Sequence, residues 1–336
     1  MNKRKRMTYA GLVAAAVATP AAVVGTMTQA DAATTVTVAA DGSGNYTTIQ
    51  SALAAVGSGA VINVKKGTYQ GQVSIPSGKS GVQIVGATGN ASDVVITGKS
   101  PQSAGSASTS ATVLNLAANT VFKNVTIANT YGNGSQALAL YMGADRQSYN
   151  NVRLLGRQDT LLSWTPNSNT RVRQYISNSY IEGDVDFIYG NGTLVIDKTT
   201  INSLNRNSSN NGYITAAATY SNNPYGILIT RSTLTSSAAA QTVALGRCWH
   251  AGGAANATGQ VLIRDSSIGS HVRQSGAWQD MSGFSWKTCR FNEYNNSGSG
   301  RTNGTSDRPQ LSSSNASSYT SQKYLAGSDG WNPVVP

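Results

Sequence analysis

The chain has 336 residues, of which 39% are hydrophobic and 12% charged, and its formal net charge is +11. Such a chain can bury a sizeable core in one or two domains, and its many Gly, Ser, Thr and Asn residues between short runs of Val, Ile and Leu are typical of an all-β protein. Two histidines, His250 and His271, and two cysteines without C-x-x-C spacing argue against a zinc site.

The segment 1–32 has the pattern of a secretory signal peptide. A basic segment, MNKRKRM, precedes an apolar, Ala-rich stretch, and Ala-Asp-Ala at 30–32 fits a cleavage site. A membrane anchor is disfavoured because the apolar run is short and Pro20 interrupts it. We therefore predict a secreted protein with a single domain over 33–336. Loss of four cations and one carboxylate with the leader reduces the charge from +11 to +8, which suits a polyanionic partner: acidic polysaccharide, nucleic acid or an anionic surface.

The first predicted element of the mature chain is a short helix over 47–56, TTIQSALAAV. Its apolar residues Ile49, Leu53 and Val56 recur at helical spacing. A helix at this position would cover the open end of the β-structure that follows and protect its edge from pairing with other chains.

The rest of the chain repeats one short pattern at uneven intervals. NVTIANT, NVRLLG, NSYIEG, KTTINS, RSTLTS and DSSIGS each place an aliphatic residue after a polar start, and VVITGKS at 94–100 resembles an earlier copy. These aliphatics are Ile127, Leu154, Ile181, Ile201, Leu234 and Ile268, and their successive spacings in sequence are 27, 27, 20, 33 and 34. Short β-segments at such intervals indicate a solenoid, here a right-handed parallel β-helix with stacked interior aliphatics. The polar segment after about residue 296 predicts a loop-rich tail on its surface.

A solenoid makes neighbours of residues that lie one coil apart in sequence, at about 4.8 Å. Asp159 precedes Asp186 by the same interval that separates Leu154 from Ile181. Two close carboxylates split into one that keeps its proton and one that stays ionised. Arg247 could hold one of them charged through a guanidinium–carboxylate fork.

Ordered motifs around these residues resemble the pectin methylesterase (pectinesterase) family. They are QALAL at 136–140, QDTL at 158–161, DFIYG at 186–190 and LGRCW at 245–249. The segments AADGSGNYTTIQSAL, RFNEYNNSGSG and YLAGSDGWNP extend the resemblance, in family order, over nearly the whole mature chain. Two positions depart from the family pattern: Gly71 replaces an acid, and Cys248 replaces a proline beside Arg247.

The resemblance implies hydrolysis of the C6 methyl esters of pectin without a metal or cofactor. Asp186 would be the nucleophile, held by Arg247, and Asp159 the acid and base. The carboxamides of Gln136 and Gln158 would bind the oxyanion. The expected partner is a methylated polygalacturonate chain, and we expect a monomer with neither a nucleic-acid nor a membrane partner.

Three further residues are predicted to contact the sugar chain. Trp249 follows Arg247 by two residues, so both side chains point to the same side of a strand. Tyr189 and Thr109 are the other two candidates. The two cysteines, Cys248 and Cys289, either pair in the oxidising extracellular environment or remain buried thiols, and the sequence leaves both states open.

Other functions remain possible on the same architecture. A polygalacturonase also uses paired carboxylates, but it does not call for two glutamines and a guanidinium around them. A pectate lyase needs an acidic, calcium-binding cluster, and acids are sparse in this chain. A serine esterase is excluded because no G-x-S-x-G occurs. A non-catalytic, polyanion-binding solenoid is the remaining alternative.

Overall fold

The structure, a computed structural model, describes residues 33–334. The predicted signal peptide therefore lies outside the described residues. The strands in chain order are β1 (Thr35–Val38), β2 (Val61–Val64), β3 (Gly67–Gln70), β4 (Val73–Ile75), β5 (Gln83–Gly86), β6 (Val94–Gly98), β7 (Val113–Asn115), β8 (Val121–Asn129), β9 (Leu140–Met142), β10 (Gln147–Leu155), β11 (Leu161–Ser163), β12 (Arg173–Ser177), β13 (Tyr180–Gly183), β14 (Val185–Gly190), β15 (Thr193–Asp197), β16 (Thr200–Ser203), β17 (Gly212–Ala217), β18 (Ile227–Thr230), β19 (Thr233–Ser236), β20 (Val243–Cys248), β21 (Gln260–Arg264), β22 (Ser267–Ile268), β23 (Trp278–Gln279) and β24 (Arg290–Tyr294). The helices are α1 (Ile49–Ala55), α2 (Ala107–Ser110), α3 (Ser313–Ala316) and α4 (Ser321–Leu325), with 3-10 turns at Ala91–Asp93, Gln102–Ala104, Ala251–Gly253 and Trp286–Thr288.

These strands wind into a right-handed parallel β-helix with three faces, which confirms the predicted fold. One face is an eight-stranded sheet in the order β23-β20-β17-β14-β11-β9-β7-β4. The other two faces are arms of one 16-stranded sheet, joined where the long strands β8 and β10 continue from one arm into the other. Asn124 and Asn151 bend these two strands with positive φ angles of 59° and 51°, a conformation that asparagine tolerates better than most residues.

The repeat read from the sequence is the register of the coils. Leu154 pairs with Ile127 on one side and with Ile181 on the other. The remaining repeat aliphatics continue the stack in the predicted order: Ile201 beside Ile181, Leu234 beside Ile201, and Ile268 beside Leu234. All of them are at most 1% exposed, so the column forms part of the apolar interior of the solenoid.

A helix lies where the sequence predicted one, slightly shorter than expected. Helix α1 begins after Thr48, whose side chain accepts a hydrogen bond from the Ser51 N–H, as an N-cap residue does. Its face of Ile49, Ala52 and Leu53 is buried in the main core. Its function as a cap for the solenoid stays a prediction.

The carboxy-terminal segment covers one outer surface of the large sheet. Tyr324 and Leu325 of α4 pack on outward-facing residues of β12, β15, β18 and β21. Arg308 and Glu293 form an ion pair with both side chains at most 1% exposed, which ties this segment to β24. The predicted loop-rich tail therefore contains two short helices. The α4 residues named above pack on the large sheet and not on the eight-stranded face.

Candidate active site

A cavity of about 440 Å³ opens on the outer side of the eight-stranded sheet. It brings together seven of the eight predicted catalytic and substrate-binding residues: Gln136, Gln158, Asp159, Asp186, Tyr189, Arg247 and Trp249. They come from strands β14 and β20, from the residue after β20 and from the turns before β9 and β11. Residues that are distant in sequence, from Gln136 to Trp249, are therefore close because successive coils stack.

The two aspartates occupy equivalent positions on adjacent coils. Strands β11 and β14 pair with Leu161 opposite Ile188, and the interval between these two residues also separates Asp159 from Asp186. The Asp159 N–H donates to the Val185 carbonyl at 3.0 Å, which ties the turn before β11 to the next coil. Both aspartates have positive φ angles, 65° and 49°. Such conformations are sparsely populated and persist where surrounding structure holds them, often at functional sites.

A β-bulge in β14 explains how a carboxylate can precede an apolar triplet. Val185 pairs with Tyr213 and Ile188 with Thr215, so three steps on β14 match two steps on β17. The extra residue allows Phe187 and Ile188, which are consecutive, both to lie in the core at 0% exposure. Asp186 is released to the outer side and faces the cavity, which is the re-aiming that bulges produce next to active sites.

Arg247 on β20 binds the Asp186 carboxylate through two guanidinium nitrogens. Its Nε lies 2.9 Å from Oδ1, and its Nη2 donates to Oδ2. The central carbon of the guanidinium also lies 4.2 Å from the centroid of the Tyr213 ring, within the range of a cation–π interaction. The neighbouring Asp184 has a different partner, since its Oδ2 lies 3.2 Å from Nη1 of Arg157 and both residues lie outside this cavity.

The surroundings affect the pKa values of the two carboxyl groups differently. Burial raises the pKa of Asp159 well above its usual range, and the charge of Asp186 raises it further. Burial also raises the pKa of Asp186, but the hydrogen bonds and charge of Arg247 oppose that rise. The pair therefore favours a protonated Asp159 next to an ionised Asp186, which is the pattern of one acid and one nucleophile or base.

Two carboxamides lie at the same cavity with no protein partner. Within residues 33–334, neither the Gln136 nor the Gln158 side chain takes part in a hydrogen bond, whereas their backbone carbonyls accept from Gln102 and Ala137. Their backbones are thus fixed while their amide groups stay free to donate to a bound ligand.

An apolar, aromatic wall completes the cavity. The Trp249 ring lies 5.7 Å from that of Tyr189 and 6.4 Å from that of Trp164. Trp164 and Met281 also line the cavity and were not predicted from the sequence. Trp164 lies shortly after the QDTL motif in the sequence. Gln102 was also missed; it lines the cavity and its N–H donates to the Gln136 carbonyl at 2.7 Å. No motif signalled it, because it lies in a short 3-10 turn outside the repeated coil pattern.

Thr109, the third residue predicted to contact the sugar chain, does not line this cavity. It lines a neighbouring hollow together with Gln72 and Lys99. Its hydroxyl accepts from the Ser106 N–H in a capping box at the start of α2, so its polar group is already used by the local helix. The cavity instead receives Ser106, Ala107 and Ser108 from this segment.

The two cysteines are joined in a disulfide next to the site. Cys248 follows Arg247 directly, and its Cα lies 6.0 Å from that of Cys289. The bridge connects the end of β20 to the turn before β24. His250 lies close enough that it and the two sulfurs form the one group of metal-ligand type among the described residues. Because the sulfurs are bonded to each other, they offer no thiolates for a metal.

The fold and the cavity together define a parallel β-helix protein with a carboxylate pair, an arginine and two carboxamides in one aromatic cleft. The Pectinesterase family model matches residues 35–328. A pectinesterase of Ralstonia solanacearum is 34% identical over 315 residues, covering 79% of this chain and 80% of the relative. A carrot (Daucus carota) pectinesterase is 30% identical, covering 87% of this chain and 93% of the relative.

Solved structures agree with the sequence comparisons. Pectin methylesterase PemA from Erwinia chrysanthemi has a TM-score of 0.76 and 27% identity, over 90% of this chain and 98% of that one. An aspartate-to-alanine mutant of a pectin methylesterase in complex with a hexasaccharide has a TM-score of 0.77 and 28% identity, with the same coverage. The chain belongs to the pectinesterase family and is an enzyme, a carboxylic ester hydrolase. None of the helices within 33–334 is long and apolar enough to cross a bilayer.

Proposed function

We propose that this enzyme removes C6 methyl esters from polygalacturonate and yields pectate and methanol by a covalent mechanism. The observation that carries the proposal is the fork between Arg247 and Asp186. Asp159 lies in the same cavity, and burial and the charge of Asp186 raise its pKa. A glycosidase would need its second carboxylate free to attack a sugar carbon or to activate water, and it has no use for two free amides beside the pair.

In the first half of the reaction, the Asp186 carboxylate attacks the ester carbonyl carbon. Arg247 keeps the nucleophile ionised and oriented. The carbonyl π electrons move to oxygen, where the carboxamides of Gln136 and Gln158 donate hydrogen bonds to the negative charge. When the tetrahedral intermediate collapses, the bond to the methoxy oxygen breaks and Asp159 gives its proton to that oxygen. Methanol leaves, and an anhydride links the substrate to Asp186.

In the second half, Asp159 acts as a base. Its carboxylate takes a proton from a water molecule while the water oxygen attacks the acyl carbon. Collapse of the second intermediate breaks the bond to the Asp186 oxygen and releases galacturonic acid, which loses its proton to solvent, and leaves Asp186 ionised and Asp159 protonated. The raised pKa of Asp159 suits both roles, because the group must hold a proton before the first step and recover one in the second.

The aromatic wall is proposed to bind the sugar ring that carries the ester. Trp249 and Tyr189 offer flat apolar faces beside the carboxylate pair. Pectin is the substrate class that the family and the hexasaccharide complex of a similar structure support. Partial de-esterification leaves an anionic chain, which suits a protein of net positive charge.

We also propose that residues 1–32 direct the enzyme out of the cell and that it acts as a monomer. Amino-terminal sequencing of protein recovered from culture medium should give a start near Ala33. A start at Met1, or retention in the cell, would contradict the proposal. Light scattering of the mature protein should give the mass of one chain.

The decisive experiment measures methanol release from highly methylated pectin by the mature enzyme and by Asp186→Asn. The variant should lose turnover while still binding pectin, because the amide keeps the shape of the carboxylate but is not a nucleophile. Asp184→Asn is the matched control: it neutralises a buried aspartate two residues away that lies outside the cavity, and it should keep activity.

Product analysis separates the rival activities. An esterase releases methanol without new reducing ends, a polygalacturonase creates reducing ends, and a lyase creates unsaturated ends. Turnover by Asp186→Asn equal to that of the wild type would refute the proposed mechanism and favour a binding protein or another site.

A further inference from the structure

The hydroxyl of Tyr189 is a buried polar group whose task the ring contact with Trp249 does not explain. The residue is 5% exposed, and among the described residues its oxygen has no hydrogen-bond partner of ordinary distance and angle. The carboxyl group that it approaches is that of Asp159. A buried hydroxyl without a partner is costly, and phenylalanine would provide the same ring without that cost.

We infer that Tyr189 is a positioning residue for Asp159: its hydroxyl donates a hydrogen bond to the Asp159 carboxylate whenever that carboxyl has given up its proton. The inference rests on the proposed function, because it assigns a partner to one state of the proposed acid and base. It makes no claim about the tyrosine ring, which lies against Trp249.

The need for such a donor changes during the reaction. Before acylation, Asp159 is protonated, so its carboxyl group is a hydrogen-bond donor and does not need one. After it has protonated the methoxide, a carboxylate remains in a buried site while Asp186 is tied up in the acyl bond. An ionised buried carboxylate needs hydrogen bonds, and the hydroxyl of Tyr189 is a donor to Asp159 in the same cavity. The carboxylate is then held in place to accept the proton of the attacking water.

Tyr189 can donate this bond without transferring its proton. Burial raises the pKa of Tyr189 well above its usual range, and the negative charge of Asp159 raises it further. The phenol therefore stays protonated when Asp159 is ionised. The hydroxyl acts on the reaction only through Asp159.

The charged and titratable neighbours fix the direction of the expected effect. Asp159 faces Asp186 and Tyr189 of β14 and Arg247 of β20; Tyr189 in turn faces Asp159, Asp186 and Tyr141 of β9. Among the described residues, Tyr189 and Arg247 lower the pKa of Asp159 and so favour its ionised form. Removal of the hydroxyl therefore makes the proton of Asp159 harder to lose and leaves the Arg247 fork on Asp186 intact.

The test is the pH dependence of methanol release by Tyr189→Phe, which removes one oxygen atom and keeps the ring. The alkaline limb of kcat/KM, which reports loss of the Asp159 proton, should move to higher pH by about one unit. The acidic limb, which reports Asp186, should stay in place. Deacylation should slow, so that a burst of methanol equal to the enzyme concentration precedes the steady state.

Tyr141→Phe is the matched control, because it removes another tyrosine hydroxyl from the same cavity. Its alkaline limb should coincide with that of the wild type. An unmoved alkaline limb in Tyr189→Phe, a move to lower pH, or an equal shift in both variants would overturn the inference. Asp159→Asn, assayed in parallel, keeps the two proposals apart: methanol release by that variant equal to that of the wild type would refute the proposed acid–base role of Asp159, whatever Tyr189→Phe does.

Discussion

Replacement of Arg247 by methionine is the sharpest perturbation of the proposed mechanism. Methionine keeps a long, flexible side chain but removes the guanidinium whose Nε and Nη2 hold the two oxygens of Asp186. The Asp186 side chain is 7% exposed, so water cannot replace those donors. The variant therefore leaves a buried carboxylate without its counter-charge.

The size of the effect follows from that burial. Removal of one partner of a buried ion pair costs about 3–5 kcal/mol when the other charge stays. Asp186 can avoid this cost by taking up a proton, since about 1.4 kcal/mol corresponds to one pKa unit. The same energy then appears as a rise of about 2–4 units in the pKa of Asp186. Below the wild-type pKa of Asp186 the rate would fall by a factor on the order of 10² to 10⁴, and this deficit would shrink as the pH rises toward the new pKa.

The assay is kcat/KM for methanol release as a function of pH. The acidic limb should move to higher pH in Arg247→Met, with part of the activity regained in alkaline buffer. Arg247→Lys restores a positive charge without the planar fork and should fall between the two. Circular dichroism at each pH establishes that the variants are folded.

The reasoning fails if Arg247→Met loses activity while its acidic limb stays where the wild-type limb lies. Arg247 would then act on the bound substrate or on the architecture of the cleft, and the ionisation of Asp186 would need another explanation.

Three further predictions concern the same region. Gln136→Ala should lower kcat by about 10²–10³ with little change in KM, because an oxyanion donor acts mainly in the transition state; an equal rise in KM would contradict this. Asp159→Asn should raise the melting temperature at neutral pH but not near pH 3. The pKa of Asp159 is higher in the folded protein than in the unfolded chain. The wild-type fold is therefore stabilised by protonation of Asp159 below the unfolded-state pKa of about 3.9, and it loses that stability as the pH rises through the folded-state pKa. A melting temperature equal to that of the wild type at neutral pH would refute it. Cys248→Ser with Cys289→Ser should cost about 4 kcal/mol of unfolding free energy in urea titrations, since the bridge closes a loop of 41 residues, and an unchanged midpoint would count against the bridge.

The repeat and the carboxylate pair could be predicted because they depend on one local rule. In parallel coils, equal sequence intervals become equal register, and the interval that aligns Leu154 with Ile181 also aligns Asp159 with Asp186. The helix near residue 50 followed from apolar spacing in the same way. These are relations between neighbours, and the pattern of residue types records them directly.

The positions of residues in loops and turns could not be predicted from the coil interval. Gln102 lines the cavity from a 3-10 turn, and Thr109 lines a neighbouring hollow instead, yet neither position is set by the coil interval. The conformation of such segments depends on local capping, as in the hydrogen bond between Thr109 and Ser106, and on contacts with the neighbouring turns. Proximity to the site in sequence was therefore a poor guide to proximity in space.

The sequence by itself determined the solenoid, the stack of aliphatics and the pairing of the two acidic positions, because all three depend on spacing along the chain. Only the tertiary structure decided which way the side chains point. A bulge turns Asp186 outward, a fork from a strand 61 residues away holds it, and close packing buries the Tyr189 hydroxyl. The physical reason is that register is set by backbone pairing. The direction of a side chain, its burial and its charge environment depend instead on every coil that packs around the site.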